Sequence, residues 1–237
     1  MIEQFKQDVD NGLSQQPKRL SSKYFYDEKG DALFVEIMNM PEYYLTRAEH
    51  EIFMEQTSQL IESLGLKKDT YFELIELGAG DGTKTKELLK ALDTGNYQFS
   101  YLPIDISQNA LDQLEASLAK ELPNVKVKKQ QGDYFQILAS LKESKQPKVM
   151  LFLGSNLGNM KDELAGNFIH KLGENLKSED KLLLGLDLIK SEKVVLPAYS
   201  DEAGITSAFN LNLLSRINRE LEADFNLDAF RHIAQYT

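Results

Sequence analysis

Between residues 67 and 195, short apolar runs alternate with helix-patterned stretches, and nothing else in this chain restricts its fold as strongly. The runs Tyr71–Leu77, Gln98–Ile106, Val125–Lys129, Lys148–Leu153 and Lys181–Ile189 are predicted strands. Val149-Met150-Leu151-Phe152-Leu153 is apolar at consecutive positions, as a strand buried on both faces requires. Between the runs the period changes. Lys84–Leu92 reads as a helix, a second starts near Gln108 with Leu111, Leu114 and Leu118 on one face, and a third carries Leu164, Phe168, Ile169 and Leu172. Strands separated by helices of this length imply βαβ units and a parallel sheet, an α/β, Rossmann-like, doubly wound fold.

The flanking regions differ. In residues 1–66, Thr46-Arg47-Ala48-Glu49 has the form of a capping box, and Ile52, Phe53, Leu60, Ile61 and Leu64 follow at helical spacing. Tyr24, Phe25, Tyr26, Tyr43 and Tyr44 make this stretch unusually aromatic. In residues 196–237, Ile205, Phe209, Leu213, Leu214, Ile217 and Leu221 suit one long amphipathic helix, and a further helix is expected to start near the end. The expected organisation is a Rossmann-like domain over 67–195, with 1–66 and 196–237 forming a mostly helical lobe.

Composition narrows the function. Hydrophobic residues make up 42% and charged residues 27%, a globular balance. No apolar run approaches the ~18 residues a membrane helix needs, and Met1–Asp8 mixes both charges without an apolar signal core, so a cytoplasmic protein is expected. The absence of cysteine removes disulfides, thiolate metal sites and cysteine nucleophiles. A net charge of −10 without a Lys/Arg cluster argues against nucleic acid. His50, His170 and His232 have no metal-ligand spacing, so no metal is expected.

In open parallel sheets ligands sit beyond the carboxyl ends of the strands. Those ends are Gly78-Ala79-Gly80-Asp81-Gly82, then Asp105, then Gly132-Asp133-Tyr134, then Gly154-Ser155-Asn156. The first is neither the GxGxxG dinucleotide fingerprint, because Thr83 stands at the third glycine position, nor a P-loop. Asp105 has the position to accept from both hydroxyls of a ribose, and Asp133 from an adenine amine. Two carboxylates suit a sulfonium better than a pyrophosphate, which they would repel. Together the three features point to S-adenosylmethionine (SAM). Taken singly, the loop also reads as a plain βα turn and each aspartate as a helix cap.

Longer segments carry a resemblance. Tyr24-Phe25-Tyr26-Asp27, Pro41 through Glu49 (PEYYLTRAE), Glu76-Leu77-Gly78, Phe152 through Asn159 (FLGSNLGN) and Ile217 through Phe225 (INRELEADF) resemble, in order, the histidine-specific SAM-dependent methyltransferase family. The resemblance implies a class I methyltransferase fold and transfer of methyl groups to the α-amino nitrogen of histidine or a related amino acid. S-adenosylhomocysteine (SAH) would be the other product. Carried over by position, it implies that Gly78, Lys84, Asp105, Asp133 and Tyr134 hold the cofactor. Tyr43 and Asn159 would bind the substrate's amino and carboxylate groups, Tyr199 would reach the carboxylate, and Tyr26 and Phe34 would wall the pocket.

In-line methyl transfer needs an amine lone pair held about 3 Å from the methyl carbon, so alignment carries much of the rate. The α-ammonium must first lose a proton, and Tyr43 is the candidate for orienting the amine, with water relaying that proton. Tyrosine faces would tolerate a growing cation. Family members continue past the NRELEADF helix, so the substrate lobe is expected to be incomplete here. Other readings are a methyltransferase for another small amine and a SAM-binding module without turnover. A monomer acting on a small molecule is expected; an NAD-dependent oxidoreductase is disfavoured by the broken glycine fingerprint.

Overall fold

Six consecutive buried residues, Phe72–Leu77, form β1, and five more, Lys148–Phe152, form β4 beside it. The computed structural model describes residues 2–132, 134, 137, 139, 144–160 and 162–236. Its sheet also holds β2 (Phe99–Asp105), β3 (Gln130–Gln131) and β5 (Lys181–Leu184), in the order β3-β2-β1-β4-β5, with every pair parallel. This is the Rossmann-like order, and the direction of strand progression reverses between β1 and β4. Among the described residues no helix is long and apolar enough to cross a membrane.

The chain divides into two compact units, Leu45–Leu188 and Met1–Tyr44 with Ile189–Thr237. The first contains the sheet. On one face of it α5 (Thr85–Thr94) buries Leu88, Leu89 and Leu92, and α6 (Gln108–Glu121) buries Leu111, Leu114 and Leu118. Leu88, Leu89, Leu92, Leu114 and Leu118 share a core with Leu74, Tyr101 and Leu151, joined by Phe53 from α3 (Tyr44–Glu55) and Ile61 from α4 (Thr57–Ser63). A second core sets Ile75, Ile104, Met150 and Phe152 against Phe168 and Leu172 of α7 (Asp162–Glu174).

The second unit is helical. α1 (Ile2–Leu13) lays Phe5 and Val9 against Leu213, Leu214 and Ile217 of α9 (Ile205–Leu221), and a short helix, α8 (Glu192–Tyr199), buries Ala198. α2 (Glu28–Asn39) is tied to α9 through Asp27. Its carboxylate accepts from Gly30 N at 2.8 Å, Asn212 Nδ2 at 2.7 Å and Arg219 Nη2 at 2.6 Å.

Several local expectations change. Thr46 caps nothing: Pro41-Glu42 makes a turn in which Tyr44 N bonds Glu42 O, so α3 starts before Thr46 and Glu49 is released for other partners. Val125–Lys129 is not a continuous strand; only Val127 bridges to Tyr101, and regular pairing resumes at Gln130. β5 ends at Leu184 rather than Ile189, beyond which Leu186, Leu188 and Ile189 are exposed. The final stretch holds one three-residue 3₁₀ turn, Leu227–Ala229, in place of a new α-helix.

Burial works against ionisation of Asp27, but the bonds from Arg219, Gly30 and Asn212 hold its carboxyl below the ordinary value of 3.8. Its stabilisation is therefore present above about pH 4 and lost as pH falls. Asp27→Ala should lower stability by about 2–3 kcal/mol at neutral pH, through the lost cap and charged hydrogen bonds. Urea unfolding should show that deficit shrinking on acidification below pH 4.

Candidate functional site

The loop after β1 exists in this shape because three of its glycines adopt left-handed backbone, at φ of +73°, +54° and +67° for Gly78, Gly80 and Gly82. A Cβ on Gly78 would meet the Tyr134 hydroxyl at 2.8 Å, and one on Gly82 would meet Leu114 Cδ1 at 2.4 Å. Nothing stands within 4 Å of a Cβ built on Gly80, so the loop is open there. Asp105, at the end of β2, accepts from Gly80 N at 3.1 Å through Oδ2 and from Ser107 N at 3.0 Å through Oδ1. These two bonds from backbone N–H groups orient the Asp105 carboxylate at the mouth of the loop. Tyr134 packs edge-on against Phe152 and Phe168, with ring centroids at 6.1 and 6.4 Å. Gly78, Asp105 and Tyr134 thus meet at the carboxyl ends of β1 and β2. Asp133 lies outside the described residues.

Lys84 begins α5, and its ammonium pairs with Glu49 of α3, both side chains being mostly buried. The same carboxylate accepts from Gly154 N, at 2.9 Å to Oε1 and 3.0 Å to Oε2. It therefore joins the loops that follow β1 and β4, on either side of the switch point where open α/β sheets bind ligands. Gly185, just past β5, is part of this arrangement: a Cβ there would lie 1.9 Å from Glu49 Oε1. Sequence reading gave Glu49 only a capping role, because no local spacing links it to residues 35 and 105 positions away.

Below the loop, Glu76 is 2% exposed. Thr85 Oγ1 donates to it at 2.6 Å, and the buried Tyr101 hydroxyl donates to its other oxygen. Burial pushes its carboxyl from the ordinary 4.5 up to about 7; Thr85, Tyr101 and the charge of Lys84 oppose the rise, and Glu49 adds to it.

After β4, Gly154 and Ser155 are both left-handed, at φ of +74° and +54°, and Asn156 Nδ2 donates to Leu153 O at 2.8 Å. A 3₁₀ turn over Asn156–Asn159 follows, on which Asn159 is exposed.

In the helical unit, residues far apart in sequence form a ring-to-ring series. Tyr26 meets Phe34 edge-on at 5.6 Å, Phe34 meets Tyr43 at 6.4 Å, and Tyr43 meets Tyr199 at 6.2 Å. Phe209, read from the sequence only as part of a helix face, joins Tyr26 and Phe34 at 5.8 Å each. Tyr43 is buried, and Tyr199 is 42% exposed. A cavity of about 520 Å³ in this unit is lined by the Met40–Glu42 turn and Asp201–Ala203 rather than by the rings.

Glycines that let a ligand approach backbone, an oriented carboxylate at the end of β2 and a Lys84 charge balanced by Glu49 form a donor and acceptor set that fits a cationic nucleoside. The fit is to SAM better than to a polyphosphate.

Glu76 makes a pH prediction. The native state keeps a proton that the unfolded chain releases near 4.5, so stability from this group falls as pH rises from about 4.5 to about 7. Glu76→Gln does not titrate. Its stability relative to wild type should rise across that window by on the order of 3 kcal/mol. Denaturant unfolding at several pH values reads the slope; parallel curves would place the carboxyl in its ordinary range.

A family model described as histidine-specific methyltransferase, SAM-dependent, matches residues 5–237. A histidine N-alpha-methyltransferase of Mycolicibacterium smegmatis is 38% identical over 234 residues, covering 99% of this chain and 71% of that protein. One from Mycobacterium tuberculosis is 37% identical over 231 residues, covering 98% and 70%. Ergothioneine biosynthesis protein 1 of Neurospora crassa is 31% identical over 227 residues, covering 93% of this chain and 25% of that protein.

Proposed function

Because the chain belongs to the family of histidine-specific, SAM-dependent methyltransferases, we propose that its two units carry the two halves of that reaction's binding chemistry. The reaction is N-methylation of the α-amino group of histidine or a close relative. The observation that carries the substrate side is the ring series Tyr26–Phe34–Tyr43–Tyr199, in which Tyr26 and Tyr43 come from segments that resemble the family.

Gly78, Lys84, Asp105 and Tyr134 are proposed to hold SAM, together with Asp133. Asp105 accepts from the ribose hydroxyls, and Gly80, where no atom stands within 4 Å of a Cβ position, lets the ligand lie against backbone. When bound, SAM supplies a methyl group made electrophilic by its sulfonium. The protein's part is alignment. The Tyr43 hydroxyl accepts a hydrogen bond from the substrate amine and so directs its lone pair, and a water takes the departing ammonium proton. Tyr199 donates to the substrate carboxylate. Asn159 is proposed as a further polar contact to the substrate by its place in the FLGSNLGN segment. Phe34 and Tyr26 offer π-faces, which attract a nitrogen that gains permanent charge. The setting is proposed to be cytoplasmic and the protein a monomer, in keeping with a cysteine-free, acidic chain.

Calorimetric titration of SAH, followed by histidine into the saturated protein, tests the assignment. Heat in both steps is expected. Heat in the first alone would move the substrate to another amine, and none in the first would remove the cofactor site. Asp105→Ala should weaken SAH binding by about 1.5–3 kcal/mol, the usual loss for hydrogen bonds to a charged acceptor. Tyr43→Phe should leave SAH affinity intact and lower the methyl-transfer rate with saturating substrate; equal loss of both would mark Tyr43 as structural.

A further inference from the structure

Glu49 takes no part in the proposed methyl transfer, yet its carboxylate is tightly held at the strand ends. It accepts from Gly154 N with both oxygens and from the Lys84 ammonium, and Gly185 must lack a side chain to admit it. Lys84 and Gly154 belong to the loops on the two sides of the β1/β4 switch point. One carboxylate therefore sets the spacing of both loops and balances the positive charge of Lys84.

We infer that Glu49 is a positioning residue of the cofactor crevice, which holds Lys84 and the Gly154 turn in place and keeps the crevice electrically neutral for a sulfonium ligand. The inference rests on reading this crevice as the SAM site. Its physical content is a charge argument. SAM carries one more positive charge than SAH, so a Lys84 ammonium stripped of its counter-ion repels SAM and not SAH at the sulfur. Removing the negative charge should thus cost SAM affinity beyond the loss of loop positioning that both ligands share. Charges about 10 Å apart still interact measurably at moderate salt, so the difference survives solvent screening in part.

Titration calorimetry of SAM and SAH into wild type, Glu49→Gln and Glu49→Asp tests this, with melting temperature recorded for each. For Glu49→Gln, SAM affinity is expected to fall about tenfold and the ratio of SAM to SAH affinity about threefold. Glu49→Asp retains the charge on a shorter arm, so it should keep the wild-type ratio while losing affinity for both ligands. Lys84→Met alone should shift the ratio the opposite way, toward SAM, because it leaves the Glu49 carboxylate unbalanced beside the sulfonium. Unchanged affinities, an equal loss of both ligands in Glu49→Gln, or tighter SAM binding would overturn the inference; tighter binding would make Glu49 a competitor for Lys84. Absence of SAH heat in wild type would instead overturn the cofactor assignment itself.

Discussion

The parallel pairing of β1 with β4 is the constraint on which the sheet unit depends. Both strands are buried along their whole length, so their side chains must satisfy cores on two faces at once. Their backbone groups pair with each other and with β2 and β5, which leaves only the strand ends open to solvent and ligand. Because the order reverses between them, the connections leave in opposite directions and a crevice forms at the carboxyl ends. The glycine loop, Asp105 and the Gly154 turn all occupy that place because the strands end there.

Charge at these ends is managed by three different means. Glu76 is deep enough that desolvation outweighs its hydrogen bonds from Thr85 and Tyr101, and its carboxyl rises to about 7. Asp105 is oriented by bonds from two backbone N–H groups, those of Gly80 and Ser107. Glu49 and Lys84 neutralise each other as an ion pair. A crevice so balanced suits a ligand that brings its own positive charge.

The helical unit works through rings instead of charges. Its aromatics come from the turn before α2, from α2 itself, from the turn before α3, from the end of α8 and from α9, and they meet edge to face except for the tilted pair Phe34–Phe209. Edge-to-face packing sets the positive edge of one ring against the negative face of the next. Asp27, adjacent to Tyr26, ties that turn to Asn212 and Arg219 of α9, so the charged network anchors the aromatic one.

Much of this was legible in the residues themselves. Periodicity changes from two to 3.6 marked most of the strands and helices, and consecutive apolar positions marked β4 as central, because burial on both faces leaves no room for polar alternation. The glycines after β1 announced a backbone that departs from right-handed geometry. What the residues could not announce is pairing over long distances. Strand β3 was expected too early, because alternation in Val125–Lys129 is local while regular pairing with β2 begins only at Gln130. Thr46-Arg47-Ala48-Glu49 had the form of a cap, yet the turn at Pro41-Glu42 starts α3 earlier and Glu49 reaches Lys84 and Gly154. Local pattern determined which elements form, since it reflects the burial each element needs. Tertiary structure alone decided which side chains meet, since contacts between residues 49, 84 and 154, or 34, 43 and 199, have no trace in local spacing and arise only when the elements pack.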